Sequence, residues 1–520
     1  MRISQVLSVL QIGIFVSLHS LSLRVEGAKI LAVFAFPGPS QYILVQPYLK
    51  QLASRGHEVT VVNAFPQKEK VKNFRDVPVL EVHDNYAAII ANAQVQRNCW
   101  QDMTFLSGFC CNITETVLKN SEVQNLLKNE HFDLIILEVI HTDALYSLGR
   151  HFAAPMIGLS SFGTDIIIDE LMGNISPLAY APQTTIGYTE HMSYKERLHN
   201  AFSQLLELLH VRLVHLPRQR QILKKYLPHI NADIWDLRTN FSLMLLNQHF
   251  SLSFPRPYVP NMVEVGGLQL QHSSKPLPLD MQQFINSSNE DVIYFSMGSN
   301  LKSKDFPPKQ LKMIVETFRK LPYKILWKFE DPQLEGKPKN VFISSWYPQP
   351  DVLAHPRVKL FISHGGLLST TESVSHGKPM LGLPMFYDQM MNIEKAKQSG
   401  FALSLDFNSM ERQDFEQSIR EMMTNRRYSN KAKEISRLYH DKPMKAMDLA
   451  IYWTEYVLRH HGAVHLQNRG QKMNFLQKHS IDTLGVLFVC AVFVLILVKI
   501  IVYSIWKLLR AKKLKKEKVH

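Results

Sequence analysis

The chain contains few cysteines, only four in 520 residues. One of them, Cys490, lies inside a long apolar run, so a small scaffold held together by disulfides is excluded. Cys99, Cys110 and Cys111 can still form one bridge with one thiol left over, and the sequence does not choose the pairing. No cluster of Cys and His has the spacing of a metal site, so no bound metal is expected.

Acidic residues are fewer than basic ones, with 45 Asp and Glu against 59 Lys and Arg, and the formal net charge is +14. Such a balance raises nucleic acid as a partner. The excess is concentrated, however, because seven Lys or Arg and one Glu lie between 507 and 518. No stripe of basic and aromatic residues is found elsewhere, so the sequence predicts no nucleic-acid partner.

Long apolar runs occur only at the two ends. The run "LGVLFVCAVFVLILVKIIVYSIW" is broken only by Lys499, and about 20 apolar residues suffice to span a bilayer. It predicts a transmembrane helix over 483–506, followed by a basic cytoplasmic tail, 507–520. The first apolar stretch ends in "VEG", which predicts a cleaved signal peptide over 1–27. Together the two segments predict a single-pass type I membrane protein whose body lies in a lumen.

Two smaller features agree with a lumenal body. The chain ends in "KEKVH", which places Lys516 and Lys518 as in a dilysine retrieval signal, so an endoplasmic reticulum membrane protein is expected. Asn-x-Ser/Thr sequons are typical of a secreted or lumenal glycoprotein. The sequons are at Asn112, Asn174, Asn240 and Asn286, and Pro177 weakens the second.

The body alternates short apolar runs with helical patterns. Its hydrophobic content of 46% supplies cores, and its length is too great for one of them. Runs that predict strands lie at 29–36, 58–62, 132–139, 154–161, 292–299, 323–329, 340–346, 358–366 and 378–386. Strands that alternate with helices predict parallel, doubly wound sheets, and therefore an α/β protein.

A Pro-rich passage divides this pattern into two similar halves. We predict a first Rossmann-like domain over 28–255 and an interdomain linker over 256–283. A second Rossmann-like domain is expected over 284–445, followed by helices and a juxtamembrane segment over 446–482. Ligands of such folds bind beyond the carboxyl ends of the strands, so the cleft between the two domains is the expected site.

The block "SWYPQPDVLAHPRVKLFISHGGLLSTTESVSHGKPMLGLPMFYDQ", 345–389, carries the strongest chemical signal. A buried strand runs into a His-Gly-Gly loop and then a helix, whose N-terminal N–H groups suit a diphosphate. A carboxylate two turns along can hold the hydroxyls of a ribose, and a Trp offers a flat face for a base. The candidates in this block are Trp346, Gln349, His364, Glu372, Asp388 and Gln389. Six such features in order indicate a site for a nucleoside diphosphate sugar.

This block resembles the signature of the UDP-glycosyltransferases, the membrane-bound UDP-glucuronosyl- and UDP-glucosyltransferase family. The resemblance extends through "RGHEVTVV", "PNMVEVGGLQL" and "YFSMGS" to the membrane anchor, and "FPGPSQY", "IGLSSFG" and "HGGLLSTTE" look most like its arthropod branch. It implies a GT-B fold, with acceptor in the first domain and donor in the second, and an inverting, metal-independent transfer. It also implies that the UDP-sugar is held by Ser299, Trp346, Gln349, His364, Gly366, Ser369, Glu372, Asp388 and Gln389. Leu368 departs from vertebrate members, which often have Asn there.

The resemblance also identifies an unusual catalytic position. The residue after Ser40 at the tip of the first loop is usually a His that acts as general base, and here it is Gln41. The acid that orients that His corresponds to Glu138, where many relatives have Asp. An amide can hold an acceptor but cannot take its proton, so amines, acidic phenols and thiols are the acceptors that would be least affected. A second hypothesis moves the base to Glu138 itself or to His141.

The function expected from the sequence is transfer of a hexosyl group from a UDP-sugar to small lipophilic acceptors in the endoplasmic reticulum lumen. Glucose is favoured over glucuronic acid because of the arthropod resemblance, and detoxification is one use of such an enzyme. The alternative is a catalytically weak or inactive relative that binds a UDP-sugar or a lipophilic ligand. Such a chain could also act as a partner subunit. Homo- or hetero-oligomers with relatives are compatible with an active transferase and with a binding protein.

Overall fold

The computed structural model describes residues 27–84, 86–93, 99–270 and 274–517. The predicted signal peptide, 1–27, lies outside these residues except for Gly27. The last three residues of the basic tail and positions 271–273 of the predicted linker also lie outside them.

Within the described residues, the first half folds around a seven-stranded sheet in which all neighbouring strands are parallel. The strands are β1 (Lys29–Phe34), β2 (Glu58–Asn63), β3 (Phe74–Pro78), β4 (Leu134–Glu138), β5 (Met156–Ser160), β6 (Phe241–Leu246) and β7 (Met262–Glu264). Their order across the sheet is β3-β2-β1-β4-β5-β6-β7. Continuous apolar runs form these strands because helices cover both faces of a doubly wound sheet, and every residue of β4 is buried.

The second half repeats this plan with six strands, again counting described residues only. They are β8 (Val292–Ser296), β9 (Lys324–Lys328), β10 (Val341–Ser344), β11 (Val358–Ser363), β12 (Met380–Gly382) and β13 (Ala402–Ser404). Their order is β10-β9-β8-β11-β12-β13, so the strand order reverses beside β8 just as it reverses beside β1 in the first sheet. Such switch points are where doubly wound sheets bind ligands.

Helices flank both sheets. The described helices of the first half are α1 (Pro39–Ser54), α2 (Tyr86–Ala93), α3 (Cys99–Lys119), α4 (Ser121–Asn129), α5 (Leu148–His151), α6 (Ile166–Met172), α7 (Tyr194–His210), α8 (Leu216–Tyr226) and α9 (Ile234–Arg238). Those of the second half are α10 (Leu279–Asn286), α11 (Pro308–Lys320), α12 (Gln349–Ala354), α13 (Leu367–Ser375), α14 (Gln389–Gln398), α15 (Arg412–Thr424), α16 (Arg426–His440), α17 (Ala446–Arg459), α18 (Phe475–Lys478) and α19 (Ile481–Glu517). A π-helical turn, Val211–His215, joins α7 to α8, and 3₁₀ turns lie at Leu80–His83, Asp143–Ser147, Ser303–Asp305, Val464–Leu466 and Arg469–Lys472.

The expected α/β class and the GT-B arrangement of two Rossmann-like domains are confirmed. All nine strands that the apolar runs predicted are present, each within two or three residues of the predicted start. Strands β3, β6, β7 and β13 were not predicted, because each is short or lies beside a helical or Pro-rich stretch. One of them, β7, lies inside the segment expected to be a linker and extends the first sheet.

The chain returns to the first domain after it has completed the second. Helix α17 packs against α1, where the Tyr48 hydroxyl lies 2.6 Å from the Thr454 hydroxyl and Arg55 pairs with Glu455 at 2.5 Å. His57, between α1 and β2, lies beside the same carboxylate and accepts a hydrogen bond from the Ala28 N–H, so its role there is structural. Helix α17 therefore packs on the first domain, although it follows the second domain in the chain.

The C-terminal helix α19 contains the predicted span 483–506. Among the described residues, one helix, Ile481–Lys512, is long and apolar enough to cross a membrane. The bridge that the sequence left possible is not formed in the described residues, where Cys110 and Cys111 are both free thiols. Adjacent residues of a helix, such as these two, point in different directions and cannot bridge easily.

The sequons differ in accessibility. Asn112, Asn240 and Asn286 are exposed, which suits glycosylation. Asn174 is buried, and its amide donates to Asp169 at 2.9 Å and to the Pro257 carbonyl at 3.1 Å. In the folded protein, the Asn174 side chain is therefore inaccessible to a glycosylating enzyme.

Candidate active site

A cavity of about 1050 Å³ lies between the two domains, at the carboxyl ends of both sheets. The loops after β1 and β5 line it from the first domain, and the loops after β8 and β11 line it from the second. These are strands at or beside the two switch points, so the position follows from the topology.

A polar cluster on the second domain surrounds Glu372, which lies on α13. Gln349 donates from Nε2 to Glu372 Oε2 at 2.8 Å and to the Ser369 hydroxyl at 3.1 Å, while its Oε1 accepts from the Tyr294 hydroxyl at 3.2 Å. Burial raises the pKa of the Glu372 carboxyl to about 7. A carboxylate held in this way can accept hydrogen bonds from the two hydroxyls of a ribose.

Gln269 completes this cluster from the segment after β7. Its Nε2 donates to Glu372 at 3.4 Å, and its buried Oε1 has no hydrogen-bond partner among the described residues. Gln269 was not among the predicted site residues, because it lies in the Pro-rich stretch expected to be a linker.

The candidate diphosphate site lies where β11 turns into α13. Gly366 is the N-cap of that helix, so the first N–H groups of α13 point toward the cavity. A side chain at Gly298 or Gly366 would come within 2.5 or 2.6 Å of the His364 ring, so glycine is required at both positions. Burial, with the nearby charge of Lys328, lowers the pKa of His364 to about 4. The ring is therefore neutral and can donate one hydrogen bond to a diphosphate.

The remaining donor candidates line the same side of the cavity. Ser299 follows β8, and the Trp346 ring is 56% exposed, with the Lys328 ammonium 5.9 Å from its centre. Burial raises the pKa of Asp388 to about 6, and its Oδ2 accepts from Asn392 at 2.8 Å. Gln389 uses its Oε1 to accept from two backbone N–H groups, so its NH₂ is the group that can reach a sugar hydroxyl.

The structure changes the description of the Gln41 position. Gln41 was expected at the tip of a loop, but it lies buried in the first turn of α1, because the helix begins at Pro39, whose fixed backbone suits the first helical position. Its Oε1 accepts from the Ser40 hydroxyl at 2.9 Å. Both side chains line the cavity, so the position expected for the base faces the cavity.

Glu138 lies at the end of β4, behind the cavity wall. Its Oε1 accepts from the Ser161 hydroxyl at 3.0 Å, and burial raises its pKa to about 7. The described lining includes Ser161 and Gln41 but not Glu138. Ser161, a residue that the sequence had not singled out, therefore connects Glu138 to the cavity.

His141 is turned away from the cavity. Its backbone has a φ of +55°, and its ring packs edge-on against His215 at 5.5 Å. Asp143 binds Arg238 at 2.8 Å and His215 at 2.9 Å, which forms a buried charged network beside it. The described cavity lining includes Ile140 but not His141, so the hypothesis of His141 as a relocated base receives no support from this geometry.

The acceptor half of the cavity is mainly apolar. Phe36 packs edge-on against Phe109 at 5.5 Å, and Tyr86 stacks on Phe109 at 6.1 Å. Helix α3 lines the cavity with Met103, Phe105, Leu106 and Phe109. Two carboxyl groups, Asp165 and Glu207, also line the cavity, and burial raises the pKa of Glu207 to about 8.

Comparison with known proteins agrees with this geometry. Residues 29–516 match the family described as "UDP-glucoronosyl and UDP-glucosyl transferase". The chain is 33% identical over 502 residues to UDP-glucosyltransferase 2 of Dactylopius coccus, which covers 94% of this chain and 96% of that one. It is 29% identical to UDP-glucuronosyltransferase 2B15 of Homo sapiens over 92% and 93% of the two chains.

Solved structures share the fold. A UDP-glucose:anthocyanidin 3-O-glucosyltransferase in complex with UDP superposes with a TM-score of 0.57 and 16% identity, and the match covers 84% of this chain and all of that one. The calicheamicin glycosyltransferase CalG4 superposes with a TM-score of 0.58 at 16% identity, over 84% and 99% of the two chains. These similarities establish the two-domain architecture.

Proposed function

The chain belongs to the UDP-glucuronosyl and UDP-glucosyl transferase family and is a UDP-glycosyltransferase, and from this premise we propose that it transfers glucose to small lipophilic acceptors. The observation that carries the proposal is the intact polar cluster around Glu372 beside an apolar acceptor cavity. The body would lie in the lumen of the endoplasmic reticulum, anchored by α19.

The donor would occupy the second-domain side of the cavity. Trp346 would stack on the uracil, Gln349 and Glu372 would hold the ribose, and Ser299, His364, Gly366 and Ser369 would surround the diphosphate. We propose that the transfer needs no metal, because the N-terminus of α13 and the neutral His364 can stabilise the charge that develops on the leaving diphosphate. Asp388 and Gln389 offer a carboxylate and an amide but no cation to the sugar, which favours a neutral hexose over a glucuronate.

The acceptor would lie among the aromatic rings of the first domain. Its oxygen attacks C1 of the sugar from the face opposite the diphosphate, the bond from C1 to the phosphate oxygen breaks, and UDP leaves with the electron pair. The product therefore has inverted configuration at C1. A nitrogen or sulfur acceptor would follow the same path.

The acceptor's proton needs a destination, since Gln41 cannot accept it. We propose that it passes to the Ser161 hydroxyl as the proton of Ser161 moves to Glu138, along the observed hydrogen bond of 3.0 Å. Glu138 is suited to this task because its raised pKa, about 7, makes it a stronger base than an exposed carboxylate. Gln41 would orient the acceptor.

The test is acceptor-dependent release of UDP from UDP-glucose by the full chain in microsomes, with products identified by mass. The acceptor panel should contain phenols, aliphatic alcohols and amines, and UDP-glucuronic acid should be compared as donor. Conjugates from any acceptor class support the transferase. Normal expression and UDP-glucose binding without conjugates would instead favour a binding protein or partner subunit.

A further inference from the structure

Helix α7 and the π turn after it expose a row of large apolar side chains on the first domain. The row, called here the apolar stripe, recurs every three or four residues, so its members share one side of the helix. The apolar stripe consists of Tyr194, Leu198, Phe202, Leu205, Leu209 and Leu213. Its least exposed member, Leu205, is 43% exposed, and its most exposed member, Tyr194, is 72% exposed.

The opposite side of α7 is polar and faces the protein. Asn200 is fully buried, where it accepts from the Gln183 N–H at 2.7 Å and donates to the Ala181 carbonyl at 2.9 Å. Gln204 is also buried and donates to the same carbonyl at 2.7 Å. A surface helix in water normally has the reverse arrangement, with its apolar stripe toward the core. This inversion indicates that the outer side of α7 contacts a nonpolar medium or partner.

The position of the apolar stripe points to the bilayer. Just before the membrane span begins at Ile481, Lys478 pairs with Glu170 on α6 at 3.1 Å. Asn468, slightly earlier, donates to the Met172 carbonyl at 2.7 Å. Since α6 packs against α7, only one helix separates the apolar stripe from the segment that enters the membrane.

Basic and aromatic groups border the apolar stripe. Lys195, Arg197 and Arg212 are exposed, and the guanidinium of Arg212 lies 5.5 Å from the centre of the Trp235 ring. Helices that lie in the surface of a bilayer combine an apolar side with Lys, Arg and Trp at its edges, because these side chains suit the headgroup region and attract anionic lipids.

We propose that the apolar stripe lies in the membrane surface and gives the body a second contact with the bilayer, besides the span of α19. The occupant of this face is lipid. A second copy of the chain is the competing occupant, and the experiment below separates the two. The proposal does not depend on the catalytic assignment, since it rests on exposure, polarity and the position of the juxtamembrane segment.

The test uses the full chain reconstituted into phosphatidylcholine vesicles that carry a photoreactive group on an acyl chain. After irradiation and digestion, lipid adducts are located by mass spectrometry. We expect adducts on peptides from 194–213 as well as from the span, several-fold above those on α15, an exposed helix of the second domain. Labelling of the span without labelling of the apolar stripe would overturn the proposal.

A matched pair of variants sharpens the result. Leu198→Gln with Phe202→Gln should reduce adducts on the apolar stripe to the level of α15 and leave those on the span unchanged. Leu438→Gln, an exposed leucine on α16, should change neither. Because all three side chains are exposed, the fold does not depend on them. Crosslinks that join the apolar stripes of two chains, in place of lipid adducts, would show that a second copy is the occupant and contradict the proposal.

Discussion

The two halves of the cavity differ in how completely they are built. On the second-domain side, proposed to hold the donor, Gln349, Tyr294, Ser369 and Glu372 form a connected set of hydrogen bonds. Gly298 and Gly366 lie so close to His364 that a side chain at either position would contact its ring. On the first-domain side, proposed to hold the acceptor, the position expected for the base holds an amide, Gln41, and most of the wall is apolar.

The difference reflects what each substrate requires. A UDP-sugar presents the same polar groups in every reaction, so its site needs fixed partners in fixed places. Lipophilic acceptors share few polar groups, and apolar contact tolerates many shapes. The acceptor side can therefore change its proton-accepting group while the donor side stays intact, provided that another route for the proton exists.

The largest expected effect comes from removing that route. Glu138→Gln should lower kcat for an aliphatic alcohol by about 10²–10⁴-fold, the usual contribution of a general base, with little change in KM for UDP-glucose. Steady-state kinetics with product detection provides the measurement. Glu207→Gln is the matched control, since Glu207 is another carboxyl group in the same cavity. Equal losses in the two variants would contradict a specific role for Glu138.

The next effect concerns the donor side. Glu372→Ala should raise KM for UDP-glucose by about 10–100-fold, because hydrogen bonds to a charged group contribute strongly to binding. The loss should be the same for alcohol and amine acceptors. Glu434→Ala, at an exposed glutamate on α16, should leave KM unchanged. An unaltered donor KM in Glu372→Ala would mean that the polar cluster does not hold the ribose.

Adding a base at position 41, in place of removing one, also tests the acceptor side. Gln41→His should increase kcat for an aliphatic alcohol by about 10²-fold, the low end of general base catalysis, and should change kcat for amines less. Gln41→Asn keeps a neutral amide and should give no gain. Unchanged turnover of alcohols in Gln41→His would show that the amide does not limit proton removal.

The smallest effect is expected at Leu368, in the first turn of α13. Leu368→Asn adds a polar side chain beside the diphosphate site and should lower KM for UDP-glucose about two- to tenfold, as one hydrogen bond would. Leu368→Ala removes the same apolar side chain without adding a donor. An equal change of KM in both variants would assign the effect to lost packing against the first domain rather than to a new hydrogen bond.

The residues proposed to hold the donor could be expected to lie together from the sequence, because most of them are close together in the chain. Strand β11, the His-Gly-Gly turn and helix α13 are consecutive, so their spacing alone brings His364, Gly366 and Glu372 to one edge of the sheet. Apolar runs likewise predicted the central strands, since burial on both faces leaves a continuous signal.

Contacts between distant segments could not be predicted in this way. Gln269 donates a hydrogen bond to Glu372, which is 103 positions away in the chain, and Ser161 donates one to Glu138, which is 23 positions away. The expectation that β7 belonged to a linker arose because prolines around it suggested irregular structure, whereas an edge strand tolerates them. The apolar stripe was present in the sequence, but only the structure showed that its side faces outward.

The proton route through Ser161 to Glu138 is tested most directly by the pH dependence of kcat/KM for an aliphatic alcohol, which does not titrate in the relevant range. The measurement is made at saturating UDP-glucose, because Glu372 also has a pKa of about 7 and would otherwise add a step through donor binding. Glu138 must be ionised to accept a proton, so with its pKa raised to about 7, activity should fall as the pH decreases through 7. This step should be absent in Glu138→Gln, and Ser161→Ala should lose activity while keeping its KM for UDP-glucose. A flat profile around pH 7 in the unaltered chain, or the same step in Glu138→Gln, would contradict the account.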